Sequence, residues 1–176
     1  PHSERMLFVK AATGIGAGII SGGRLHRGAQ GTAGDLGHVA ALHGGDTRCT
    51  CGNLGCLEAV ASGPAIVRAL RERGVELQDS SDLIRLAKAG DLAAATAIRD
   101  AGREIGHVLA TCVSLLNPSV IVVGGRLAQS AESLLAGIRE VVYGRSLPLA
   151  TGDLQIVASR TAGHAGVIGA ATMVVQ

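Results

Sequence analysis

The chain has 176 residues, which is enough for one domain with a buried core. Hydrophobic residues make up 47% of it, yet it holds only one Phe, one Tyr and no Trp, so the core must consist of Val, Leu, Ile and Ala. Proteins that stack nucleic-acid bases need aromatic side chains, and this composition argues against that class. The net charge is +2 and the Lys and Arg residues are scattered, so the chain shows no footprint for DNA.

In chain order, the first elements are a strand and a glycine-punctuated hairpin. A short apolar strand is predicted over 6–10, and the hairpin continues to residue 26 with a turn at 21–23. Residues 28–58 have glycine at roughly every third or fourth position, which predicts a loop-rich segment. No run of about eighteen apolar residues occurs, so we predict no transmembrane helix and no membrane partner.

From residue 63 onwards, helical and strand patterns alternate. Helices are predicted near 63–73, 80–89, 92–116, 130–143 and 164–175, and strands at 120–123 and 154–158. In the longest helix, apolar residues share one face at helical spacing: Ile98, Ile105, Leu109, Cys112 and Leu116. The β-branched run 120–123 is typical of a strand covered on both faces. Strands followed by helices predict a layered α/β domain.

The loop-rich segment contains a complete tetrahedral ligand set for Zn²⁺, formed by His38, Cys49, Cys51 and Cys56. Three thiolates favour Zn²⁺ over hard cations, and glycines at 52 and 55 allow the tight turns that such a site needs. Four protein ligands leave no position for an activated water, so the predicted zinc is structural. The alternative interpretation is a set of reduced surface thiols beside an unrelated His.

Two carboxylates flank this ligand set. Asp35 lies three residues before His38, and Glu58 lies two residues after Cys56, so metal binding would bring both towards one neighbourhood. Paired carboxylates beside an imidazole suit hydrogen bonds to the vicinal hydroxyls of a sugar. The alternative is a turn-forming Asp35 and a Glu58 that only begins a helix. The other histidines show no mutual spacing that predicts a site.

Two glycine motifs admit two interpretations each. The run 13–18, which begins with Thr13 and Gly14, could cradle a phosphate, but it lacks the Lys of a P-loop, and a tight turn also explains it. Gly124 and Gly125 follow a buried strand and could admit a nucleotide at its carboxyl end, or they could mark a close backbone approach. No motif supports hydrolase chemistry.

Five motifs, in the same order along the chain, resemble the ROK family of bacterial repressors, open-frame proteins and sugar kinases. They are the runs 13–18, 27–31, 34–38, 49–58 and 117–125. The resemblance implies that residues 1–176 form the carboxyl-terminal lobe of an actin-like ATPase (ribonuclease H-like) α/β fold. It further implies a mixed sheet with flanking helices, a zinc-binding loop at about 34–58 and a helical segment at about 59–116.

The resemblance also implies residue roles. It places the structural zinc on the four ligands named above and the sugar against Asp35, His38 and Glu58. In the kinases of the family, the Thr13–Gly14 region would lie by the ATP phosphates and Gly124–Gly125 by the adenosine. ATP and Mg²⁺ are expected as cofactors only if the chain belongs to a kinase.

Two departures from the family pattern bear on function. The amino-terminal lobe, with its phosphate loop and the Asp that deprotonates the sugar hydroxyl, is absent, so no catalytic residue is predicted in this chain and the chain alone is expected to be inactive. Position 35 is Asp, where sugar-phosphorylating members usually carry a longer Glu. In having the shorter Asp at this position, the chain resembles the repressors of the family.

The sequence therefore predicts the sugar-sensing part of a ROK-type transcriptional regulator, which is cytoplasmic and forms a homodimer or a higher homo-oligomer. Its partner would be a small-molecule sugar, and DNA would be bound only through a domain missing from this chain. One alternative is the carboxyl-terminal half of an ATP-dependent glucokinase-like sugar kinase. The other is a zinc-stabilised dimerisation module without a ligand site. Whether the whole protein is an enzyme stays open, with a non-enzymatic role favoured.

Overall fold

The computed structural model describes residues 4–160, and its strands form one mixed five-stranded sheet. The strands are β1 (Arg5–Ala11), β2 (Ile15–Ser21), β3 (Arg24–His26), β4 (Val120–Gly124) and β5 (Gln155–Ala158). The sheet order is β3-β2-β1-β4-β5. The first three strands are antiparallel neighbours, whereas β1 pairs with β4, and β4 with β5, in parallel. A mixed sheet of this kind confirms the predicted α/β class.

Six helices accompany the sheet in this part of the chain. They are α1 (Leu57–Ala61), α2 (Gly63–Glu72), α3 (Ser80–Lys88), α4 (Leu92–Leu116), α5 (Ala131–Arg145) and α6 (Pro148–Thr151), with one 3-10 turn at Leu127–Ser130. Side-chain caps begin three of them: Ser62 and Asp91 accept from Ala65 and Ala94, and Asp79 accepts from two amides of α3. Although α4 has 25 residues, no helix within 4–160 is long and apolar enough to cross a membrane.

The predicted strands and helices between residues 5 and 158 are confirmed to within about two residues at each end, a margin typical of helix and strand boundaries. Three short elements, α1, the 3-10 turn and α6, were not predicted, because four or five residues carry too little periodicity to indicate a helix. The terminal helix predicted near 164–175 lies outside the described residues.

Burial corrects two details of the sequence interpretation. In β4, Ile121 and Val123 are fully buried, but Val120 and Val122 are only half-buried in the described structure, so one face of this strand is less covered than predicted. In α4, the predicted apolar face is buried except at Leu116, which is 40% exposed. Leu116 is the last residue of the helix, and Asn117 then turns the chain in the left-handed region at φ 43°.

The long helices α4 and α5 pack backbone against backbone through glycines. A Cβ atom placed on Gly137 of α5 would lie closer to the carbonyl oxygen of Arg99 in α4 than any real contact allows. A Cβ atom on Gly106 of α4 would lie 2.9 Å from the Cβ atom of Val141. The absence of these side chains therefore sets the distance between the two helices.

We expect Gly137→Ala to lower the free energy of unfolding by about 1–3 kcal/mol, because the added methyl group meets backbone atoms that cannot move aside without separating the helices. Gly144→Ala in the same helix is the matched control, since nothing lies within 4 Å of its added Cβ atom. The control should leave stability unchanged or raise it by up to about 0.5 kcal/mol. Urea unfolding followed by circular dichroism measures both, and equal effects would contradict the packing argument.

Candidate functional site

The loop between β3 and α1 folds back on itself and brings the four predicted metal ligands together. Isolated antiparallel bridges join Ala40 to Cys56 and Arg48 to Leu54. The amide of Cys49 donates to the carbonyl of Asn53 at 2.9 Å. Gly52 has φ 95° and Gly55 has φ 69°, so both occupy the region in which glycine is favoured, as the sequence predicted.

The four donor atoms form one cluster, in which all of them lie within 4.8 Å of one another. His38 Nδ1 is 3.6 Å from the sulfur of Cys49, and the sulfurs of Cys51 and Cys56 are 3.7 Å apart. Zinc–sulfur bonds of about 2.3 Å in a tetrahedron place neighbouring sulfurs about 3.8 Å apart. All three thiols are free of disulfides. The cluster could therefore hold a metal ion, and three thiolates with one imidazole fit zinc.

The cysteines of the cluster differ in acidity. The backbone amide of Cys51, with the neighbouring side chains, lowers the pKa of the Cys49 thiol to about 7. Burial and the adjacent thiols raise the pKa of Cys56 to about 12. A metal ion that binds all three as thiolates must displace the proton of Cys56, so metal binding and proton release are coupled.

Glu58 lies in the first turn of α1 and fastens three segments together. Its Oε2 atom accepts a hydrogen bond from the amide of Ile15 at 3.0 Å, at the start of β2. Its own amide donates to the carbonyl of Gly37 at 2.9 Å. A Cβ atom on Gly14 would lie 2.6 Å from the same Oε2 atom. The carboxylate is thus held between the β1–β2 turn and the segment that carries His38.

The segment that carries Asp35 and His38 runs beside this carboxylate, since a Cβ atom on Gly37 would lie 3.3 Å from Oε2 of Glu58. A hydrogen bond with Cys49 is the main cause that raises the pKa of His38, and the negative charges of Asp35 and Glu58 raise it further. Both Asp35 and His38 are exposed, whereas Glu58 is half-buried. The segment is fixed because the carbonyl of Gly34 accepts from the amide of Ala17 at 2.7 Å. The three residues predicted to contact a sugar therefore share one neighbourhood.

The two glycine motifs meet at one edge of the sheet. Because β1 and β4 are parallel neighbours with Lys10 opposite Gly124, the turn that contains Thr13 and Gly14 lies at the same end as Gly124 and Gly125. A Cβ atom on Gly125, which has φ 93°, would lie closer to the carbonyl oxygen of Ala11 than van der Waals contact allows. A close backbone approach therefore accounts for Gly125. Contact of either motif with a nucleotide stays a prediction.

The fold also brings together a second cluster of possible ligands, which was not predicted from the sequence: His43, Glu104 and His107. The signal within the sequence is a Glu-x-x-His spacing at 104–107, which places both side chains on one face of a helix. The third member is 61 residues away from Glu104 along the chain, so its contact could be found only in the fold.

The chain is thus an α/β domain with a mixed sheet, in which a Cys/His cluster that could hold a metal lies near a half-buried carboxylate. The chain belongs to the ROK family, whose model matches residues 2–176. This result confirms the resemblance found in the sequence.

Relatives of both functional kinds are found. The chain is 34% identical over 180 residues to the transcriptional dual regulator NagC of Escherichia coli, with 97% of this chain and 44% of that protein covered. It is 33% identical over 186 residues to a glucokinase of Thermotoga maritima, with 97% and 58% covered. The chain thus spans about half the length of the curated relatives it matches.

The similar solved structures also include both a kinase and a transcriptional regulator. A ROK family glucokinase from Streptomyces griseus, in complex with glucose and AMPPNP, matches with a TM-score of 0.83 and 30% identity over 98% of this chain and 61% of that chain. A ROK family transcriptional regulator, described as a homologue of the MLC protein of Escherichia coli, matches with a TM-score of 0.81 and 33% identity. That match covers 88% of this chain and 41% of the regulator.

Proposed function

We propose that the chain is the sugar-sensing, carboxyl-terminal part of a ROK-type transcriptional regulator and binds a sugar next to a structural zinc. The observation that carries this proposal is the grouping of Asp35, His38 and Glu58 beside the cluster of three thiols. One of these side chains is held by the cluster, and another is held by the amide of Ile15. Prepositioned polar groups are what recognition of a polyhydroxy ligand requires.

In this proposal zinc has a mechanical role. It would join His38 to Cys49, Cys51 and Cys56 and so hold the loop in one conformation. The imidazole would then donate a hydrogen bond to a sugar hydroxyl, and the neighbouring carboxylates would accept hydrogen bonds from others. All four ligands come from the protein, so the metal would not activate a water molecule.

The regulatory step would be a change in the closure of two lobes when sugar binds. A ligand shifts such an equilibrium only if it binds one state better than the other. The partner lobe and a DNA-binding domain would come from other parts of the protein, which would act as a cytoplasmic homodimer or a higher homo-oligomer. The scattered charges of this chain agree with DNA contact elsewhere.

A second function, the carboxyl-terminal half of an ATP-dependent sugar kinase, is favoured by one observation. The carboxylate of Glu58 lies so close to the backbone of Gly14 that a Cβ atom there would be 2.6 Å from Oε2. A sugar at Glu58 and a phosphate at the Thr13–Gly14 turn would therefore be neighbours. Gly124 and Gly125 lie at the same end of the sheet, where a nucleotide would follow. Phosphoryl transfer would also need a catalytic base, which this proposal places outside the chain.

The deciding experiment measures sugar binding and sugar phosphorylation on the full-length, zinc-loaded protein. Calorimetric titration with glucose, N-acetylglucosamine and xylose should give binding to at least one sugar. A coupled assay with ATP and Mg²⁺ should then give no turnover of that sugar. Robust turnover would contradict the regulator proposal and support the sugar kinase. If no sugar of a broad panel binds, a dimerisation module without a ligand site would be favoured.

Asp35→Glu tests the residue on which the choice between the two functions depends. The side chain gains one methylene group, so we expect a direct hydrogen bond to the sugar to replace a longer or water-mediated one. One such bond contributes about 0.5–1.5 kcal/mol, which corresponds to a sugar affinity roughly 2–10 times higher. Calorimetry measures the change. Weaker binding by Asp35→Glu would show that the pocket is fitted to the shorter carboxylate.

A further inference from the structure

The second cluster lies where the metal-binding loop meets α4. His43 Nδ1 is 2.5 Å from Oε1 of Glu104, and the backbone amide of His43 donates to Oε2 of the same carboxylate at 3.3 Å. The rings of His43 and His107 meet edge to face with centroids 6.0 Å apart. Each of the three residues offers a ligand atom, and these atoms lie within 4.8 Å of one another, as in the thiol cluster.

The positions of these residues on a helix and a facing loop favour a set of metal ligands over a chance ion pair. Glu104 and His107 are three residues apart on α4, and helical bundle proteins use the same Glu-x-x-His spacing to hold metal ions between helices. His43 lies in the loop between His38 and Cys49. The cluster therefore contains two imidazoles and one carboxylate, which come from two different elements.

The cluster is open to solvent on the side of His43 and closed on the side of Glu104. The side chain of Glu104 is only 14% exposed, while that of His43 is 72% exposed, so an ion would be open to solvent on one side.

We propose that His43, Glu104 and His107 form a second metal site, which takes a divalent transition metal such as Zn²⁺ and fastens the loop to α4. Nitrogen and carboxylate ligands without sulfur suit zinc, nickel and cobalt. Three protein ligands leave a coordination position for water. Because this site has fewer ligands and no thiolate, it binds metal more weakly than the cluster of His38 and the cysteines. The proposal does not depend on sugar binding.

Stoichiometry and absorption spectra with Co²⁺ test this site. The full-length protein should bind two equivalents, of which the first gives strong thiolate charge-transfer absorption and the second only weak ligand-field bands. His43→Ala and His107→Ala should lose the second equivalent and keep the first, as should Glu104→Gln, whose amide oxygen can still accept from the His43 amide. His26→Ala, which removes an exposed histidine of β3, is the matched control and should retain both.

Cys51→Ser assigns the first equivalent in the same experiment, because it should weaken the thiolate charge-transfer absorption. Titration with Zn²⁺ and a competing chromophoric chelator gives both affinities, with the second expected to be at least about 100-fold weaker. A single equivalent bound by the unsubstituted protein at millimolar Zn²⁺ would overturn the proposal. So would two equivalents bound by a folded His43→Ala or His107→Ala variant, as judged by circular dichroism.

Discussion

Cys51→Ser is expected to lower the free energy of unfolding by about 3 kcal/mol or more, which is one of the largest effects that a single substitution can have in this chain. Cys51 is exposed, so the loss of its packing alone would cost little. A large loss therefore requires a metal, because the binding free energy of a structural zinc is part of the folding free energy. The chain has no Trp, so circular dichroism in a urea titration is the suitable measurement.

The control for this substitution is Thr50→Ser, which changes the preceding exposed residue of the same turn by one methyl group. It should leave both stability and zinc content unchanged. Addition of a chelator should destabilise the unsubstituted protein and have little effect on Cys51→Ser. Metal analysis after purification without chelator must find close to one equivalent of zinc in the thiol cluster. Less than about half an equivalent would contradict a structural zinc.

Glu58→Gln is expected to weaken sugar binding by roughly 30-fold to 150-fold, which corresponds to about 2–3 kcal/mol for the lost charged hydrogen bond. The substitution keeps the size of the side chain, and its amide oxygen can still accept from the amide of Ile15. Stability should therefore fall by less than about 1.5 kcal/mol, while affinity for the sugar falls strongly. Calorimetry and urea unfolding measure the two effects separately.

Glu76→Gln, in an exposed loop between α2 and α3, removes the same charge far from Glu58 along the chain and is the matched control. It should leave sugar affinity and zinc content unchanged. Glu58→Ala, in contrast, removes the acceptor for Ile15 and should reduce both stability and sugar binding. If Glu58→Gln binds the sugar as tightly as the unsubstituted protein, Glu58 acts only as a structural residue and the proposed sugar site is wrong.

Elements with a strong repeating pattern could be predicted from the sequence, and long-range contacts could not. The long helix α4 has apolar residues at helical spacing, so its existence was evident, whereas its cap by Asp91 is seen only in the structure. The exposure of Leu116 could not be predicted, because periodicity indicates the apolar face of a helix but not where the neighbouring elements stop covering that face. The short helix α1 was missed, since it begins inside the loop directly after Cys56.

The same distinction holds for the sites. His38 and the three cysteines lie within nineteen residues, so their spacing alone predicted a cluster, which the fold then brings together. The contact of Glu58 with the Ile15 amide joins residues 43 apart, and no local pattern predicts it. His43 and Glu104 are further apart still, and only the packing of the loop on α4 makes them neighbours.

The hydrogen bond from Ile15 to Glu58 has a consequence for the evolution of such chains. Because the carboxylate satisfies the first amide of β2, a descendant that no longer meets any sugar would still be selected to keep it for folding. The presence of this Glu in a sequence is therefore a weak sign of a working ligand site. Asp35 is exposed, so selection would no longer keep it once the ligand is lost. A substitution at position 35 is therefore a better sign than Glu58 that the ligand site has changed or been lost.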